Sequence, residues 1–106
     1  MVGKPVPLRL VAARAEKLIR ELAADSSNVV ITSHARDRME ERDFTDHDLM
    51  RVLGFVTSDP ERTSEGDWKC KMVRRLAGAG QREGGAVVVI RRHRLIVVTM
   101  EWEDLM

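Results

Sequence analysis

His34, Arg38 and Arg42 recur at every fourth residue of the stretch Ile31-Thr-Ser-His-Ala-Arg-Asp-Arg-Met-Glu-Glu-Arg42. An imidazole beside two guanidinium groups can hold an anion and move a proton. On a helix turning about 100° per residue, these positions form one slowly drifting stripe. Ala35 and Met39 form the apolar stripe next to it. A helix over about 33–42 would therefore pack one side and present His34, Arg38 and Arg42 on another. Thr32 or Ser33 is the expected N-cap. His34 then falls in the first turn, where free backbone N–H groups and the helix dipole attract anions. A neutral imidazole there can serve as a general base. The plain alternative is a polar first-turn histidine with solvated arginines, since charge at i,i+4 is common helix decoration.

The rest of the chain must position that stretch. It has 106 residues, enough for a single domain with one modest core. The aromatic share is 4%, so Leu, Val, Ile, Met and Ala must fill the core. A lone cysteine excludes an internal disulfide and a Cys-rich zinc site. Cys70 lies between Lys69 and Lys71 in an alternating run, which predicts a buried strand thiol. The histidines and acids lack ligand spacing, so neither a metal nor a cofactor is expected. Residues 1–7 lack the apolar core of a signal peptide, and no apolar run approaches the ~20 residues of a membrane span. The expected setting is cytoplasmic.

Charge is uneven although the net value is +1. Residues 69–94 carry 8 basic residues and 1 acidic residue, a net +7. The flanking segments 1–68 and 95–106 each carry −3. Such a block suggests an anion-facing patch that includes Lys69, Arg74, Arg91 and Arg92. Strand-edge protection against aggregation explains it equally well.

Residues 8–24 have helical periodicity at Leu8, Val11, Ala15, Leu18 and Leu22, giving a structural cover, or a homodimer contact if that stripe stays exposed. Val29 to Thr32 is a short strand or lead-in. After the organising helix, Asp43-Phe44 forms a break. Thr45 caps a further helix, with Asp48 completing an approximate capping box, and Gly54 helps end it. Phe55–Ser58 reads as a strand and 61–67 as a polar loop. Residues 68–76 form a strand with one basic face. Gly78, Gly80, Gly84 and Gly85 mark a hairpin connection. Ala86–Ile90 and Leu95–Trp102 are central strands, joined by a turn at Arg91–Arg94. Strict alternation places Leu95, Val97, Thr99 and Glu101 on one face of the last strand. The expected fold is α+β, with N-terminal helices packed on about four antiparallel strands.

The run Thr32-Ser-His-Ala-Arg-Asp-Arg-Met-Glu-Glu-Arg42 resembles the HAxxRMxER motif of a family of small bacterial domains of unknown function. The closing Val97-Val-Thr-Met-Glu-Trp102 fits the same pattern, and the likeness covers roughly 29–103. That family is similar to the barnase–EndoU–colicin–RelE group of ribonuclease folds. The resemblance implies a RelE-like sheet with an active site on its exposed face. It further implies a metal-independent ribonuclease of bacterial toxin type, with His34, Arg38, Lys71 and Thr99 catalytic and a cognate antitoxin as partner. Two other readings remain open. One is a non-catalytic RNA- or ribosome-binding module; in either RNA reading Arg42, Lys69, Arg74, Arg91 and Arg92 would contact the RNA. The other is a protein-interaction domain of a paired bacterial system.

Overall fold

The computed structural model describes residues 10–76 and 82–103. In chain order the elements are α1 (Ala12–Ala23), a 3-10 turn (Ser26–Asn28), β1 (Val29–Ile31), α2 (Ser33–Glu41), α3 (Asp46–Val52), β2 (Glu61–Arg62), β3 (Trp68–Arg75), β4 (Glu83–Arg91) and β5 (Arg94–Trp102). The fold is α+β, as its periodicities predict. The sheet departs from expectation: it has five strands in the order β1-β5-β4-β3-β2 and is mixed. β1 pairs parallel to β5, while the other pairs are antiparallel. A three-residue strand lying parallel to the end of the chain depends on non-local pairing and carries no local signal.

Helices cover one sheet face. Met72, Ala86, Val88, Leu95, Val97 and Met100 point into the core with Ala15, Ile19, Met39 and Leu49, all 1% exposed or less. Cys70 joins them, as its alternation with lysines predicts. Leu18 and Leu22 pack against the same core, so this part of the α1 stripe acts as cover, while Val11 at its start is 42% exposed. α1 begins at Ala12 rather than at residue 8, where the predicted start lies outside the described residues. Asp59 accepts a hydrogen bond from the Ala12 N–H at 2.8 Å, capping α1 from a distant loop. The Thr45–Asp48 capping box forms in full at α3. Gly54, at φ 94°, follows that helix. Its left-handed backbone suits glycine, and a Cβ there would lie 2.6 Å from Arg20.

Three strand expectations are corrected. Phe55–Ser58 contributes only an isolated bridge, Val56 to Met72, along the outer edge of β3. β2 lies instead within the segment read as loop. Gly84 and Gly85 lie inside β4, while Gly78 and Gly80 fall outside the described residues. A Cβ on Gly84 would approach Leu76 at 2.9 Å and Phe44 at 3.2 Å, so the strand needs glycine for close packing.

The third correction concerns β5. Val88 pairs with Val97 and Val87 with Thr99, leaving Val98 as the extra residue of a bulge. Strict alternation therefore fails at this point. Leu95 and Val97 share the core face with Met100 and Trp102, and Thr99 and Glu101 fall on the other face with Ile96.

Candidate active site

The motif helix is tied to β5 at both ends. At its start, the Thr32 N–H donates to the Val97 carbonyl at 3.2 Å, continuing the β1–β5 pairing for one residue. The Thr32 hydroxyl donates to the same carbonyl at 2.9 Å and accepts from the Ala35 N–H at 3.1 Å. Thr32, and not Ser33, is thus the N-cap. At the far end, Phe44 N–H bonds to the Met39 carbonyl at 2.8 Å and Asp43 N–H to the Glu40 carbonyl at 3.4 Å. These bonds close the helix in a Schellman turn, with Asp43 at φ 58°. Phe44 stacks on Trp102 with ring centroids 4.1 Å apart, and the Trp102 indole donates to the Arg42 carbonyl at 3.1 Å. Nine helical residues rise about 13 Å, close to the length of strand from Val98 to Trp102. α2 accordingly runs beside β5.

Helical rotation separates the two flanks of α2. Ala35 and Met39 are buried. Arg36 pairs with Asp46 at the start of α3, and that contact raises its pKa. Arg38 lies about 160° around the helix from Arg36, so it turns away from α3. His34 shares that flank. It is exposed, and its imidazole makes no hydrogen bond or ion pair among the described residues.

Register carries the remaining residues to the uncovered sheet face. Lys71 pairs with Val87, and Val87 with Thr99, placing Lys71 and Thr99 in one cross-strand row. Lys69, Val89 and Ile96 form the next row toward the β4–β5 turn. Val73, Gly85 and Glu101 form the row on the opposite side. The Thr32 cap, which precedes His34 by two residues, also reaches the Val98 carbonyl at 3.5 Å, next to Thr99.

Most of these cations already meet a carboxylate. Arg38 donates to Glu41 at 2.8 Å, and Arg42 lies 3.5 Å from the same oxygen. Lys71 pairs with Glu103 at 2.7 Å, and Arg91 with Asp67 at 2.8 Å. Arg74 departs from its predicted role. It lies on the helix side of the sheet, donates to the Arg51 carbonyl at 2.9 Å and covers the Phe55 ring at 4.3 Å. Arg92 is at the β4–β5 turn, beyond the Lys71 row. His47 and His93 lie in α3 and in that turn, on elements other than the His34 helix.

Glu103 is the residue that spacing missed. Its carboxylate lies over Gly85, where a Cβ would stand 2.5 Å from an oxygen. A glycine inside an apolar strand was the available signal, since it often marks a close approach. Among the described residues, no group of three or more His, Cys, Asp or Glu side chains is arranged to hold a metal ion. No helix among them is long and apolar enough to cross a membrane.

No family model, curated protein or solved structure matches this chain.

Proposed function

We propose that this protein is a metal-independent endoribonuclease of bacterial toxin type, with a RelE-like arrangement and its site on the open sheet face. The observation that carries this reading is the Lys71–Val87–Thr99 row, which ends beside the Thr32 cap that sets the position of His34. RNA supplies its own nucleophile. The 2′-oxygen attacks the adjacent phosphorus, the P–O5′ bond breaks, and a 2′,3′-cyclic phosphate and a 5′-hydroxyl result. DNA lacks that hydroxyl and is not cut.

His34 takes the 2′ proton. Lys71 and Arg38 stabilise the negative charge that grows on the phosphate oxygens, where preorganised cations contribute most. Thr99 donates to a non-bridging oxygen. Glu101 lies one row away and is exposed, so it can exchange protons with the leaving oxygen through water. Substrate displaces Glu103 and Glu41 from their cations. Both ion pairs are partly exposed, and such pairs contribute only about 0–1 kcal/mol.

Those same pairings favour a second reading, a non-catalytic RNA- or ribosome-binding module. The deciding experiment incubates folded wild type and His34→Ala with single-stranded RNA and identifies the product ends. The ribonuclease reading expects cyclic phosphate ends from wild type and a rate about 10²–10⁴-fold lower from the variant. Intact RNA with salt-sensitive binding by both proteins would replace it with the binding module. Intact RNA without binding would leave the protein-interaction reading, with an antitoxin or similar protein as partner.

A further inference from the structure

The strongest unassigned feature is the tip of the β4–β5 hairpin. A pocket of about 450 Å³ is lined there by Asn28, Arg91, Arg92, His93, Arg94 and Ile96. Arg91 pairs with Arg94 and Val89 with Ile96, which places these side chains on the face that carries Lys69 and Lys71. Arg91 is held by Asp67. Arg92, His93 and Arg94 are exposed and make no ion pair or side-chain hydrogen bond among the described residues. Asn28 uses one of its two amide N–H groups on the Leu22 carbonyl at 3.0 Å.

Two local features work against the free fold. Arg91 and Arg94 are like charges directly across the ladder, which is an unfavourable pairing. Arg92 sits at φ 56°, in the left-handed region where a side chain costs on the order of 1 kcal/mol and glycine costs little. Glycine or asparagine would make the same two-residue turn with less strain. The arginine instead holds a guanidinium at the mouth of the pocket. An anion bound there offsets both penalties.

We infer that this pocket binds a bridging phosphate of the RNA strand, a few nucleotides from the Lys71–Thr99 row. The inference rests on the ribonuclease or RNA-binding reading of the open face. Arg91 lies four positions beyond Val87 along β4, about 13 Å of strand, which a short single-stranded segment spans. Arg92 and Arg94 hold the phosphate oxygens through charge-assisted hydrogen bonds. Ile96 offers an apolar floor for the attached sugar or base. The pocket fixes where the strand lies and takes no part in bond breaking.

The test uses a uridine oligomer of about 12 nucleotides, long enough for common single-strand sites, with fluorescence anisotropy across a salt series. Wild type is compared with the double variant Arg92→Gly/Arg94→Ala. Arg92→Gly relieves the backbone, so a folding defect does not imitate the expected result, and a melting curve confirms this. The variant should bind roughly tenfold more weakly, as for two lost charge-assisted contacts. Its log–log salt slope should fall by about 0.7, the value for one single-strand phosphate.

Equal affinity and slope for both proteins would overturn the pocket assignment while leaving the open-face reading intact. Loss of binding confined to a 5′-phosphorylated oligomer would overturn the bridging phosphate in favour of a strand end. Absence of binding by wild type would remove the RNA reading itself and this inference with it.

Discussion

Glu103 reaches back across β4 to place its carboxylate 2.7 Å from the Lys71 amine, above Gly85, which has no side chain to obstruct it. The carboxylate occupies the place where a phosphate would meet Lys71. Glu103→Gln should therefore raise affinity for single-stranded RNA several-fold. The Lys71 side chain is 47% exposed, so stability should change by no more than about 1 kcal/mol. Anisotropy titration with a parallel urea melt checks both. Gly85→Ala should act in the same direction, because its Cβ would displace the Glu103 side chain from Cγ outward. Unchanged or weaker binding by both variants would remove Glu103 from the site.

Thr32 links the motif helix to β5 with one hydroxyl. Thr32→Ala removes the cap of α2 and the bond to Val97, and should cost about 1–2 kcal/mol. Thr32→Ser keeps both bonds and should recover most of the loss. If His34 acts in cleavage, the alanine variant should lose rate beyond its loss of folded fraction, and the serine variant should regain it. Chemical denaturation beside a cleavage assay separates these effects.

Phe44 and Trp102 pin the other end of α2. Trp102→Ala removes the stack and the bond to the Arg42 carbonyl, and should cost about 3 kcal/mol. A double-mutant cycle with Phe44→Ala should give a coupling of about 0.5–1.5 kcal/mol. Additive losses would mean that the rings contribute independently.

Burial pushes the Cys70 thiol from 9.0 up to about 11. The folded state keeps the proton that the unfolded state releases first. This contribution is thus fully present below about pH 9 and declines as pH rises toward 11. At pH 10.5 the loss should be about 2 kcal/mol relative to Cys70→Ala measured at the same pH. Urea unfolding of both proteins at neutral and alkaline pH provides the comparison. The native thiol should also resist alkylation at neutral pH and react once the chain unfolds.

Much of the fold was legible where residues signal locally. The α2 boundaries followed from Thr32, Asp43 and the Ala35–Met39 stripe, and the Thr45–Asp48 box marked α3. Pairing between distant segments was hidden. Val29–Ile31 looks the same in sequence whether it leads into a helix or lies parallel to β5. The site was legible in part for the same reason. Alternation put Lys69 and Lys71 together, whereas the Lys71–Thr99 row depends on two strand registers. Arg74 follows the basic block in sequence but falls on the opposite parity of β3, which turns it toward Phe55.

The extra residue at Val98 has a consequence for how this chain tolerates change in length. Before it, odd-numbered positions of β5 face inward; after it, even-numbered ones do. Removing this single residue would join Val97 directly to Thr99 and restore a regular alternation, keeping Thr99 and Glu101 on the open face and Met100 and Trp102 on the core face. Most insertions and deletions in small proteins are absorbed by surface connections. Here a strand offers the same tolerance at residue 98 alone, because loss of a paired residue elsewhere in β5 would exchange the reactive surface for the hydrophobic one.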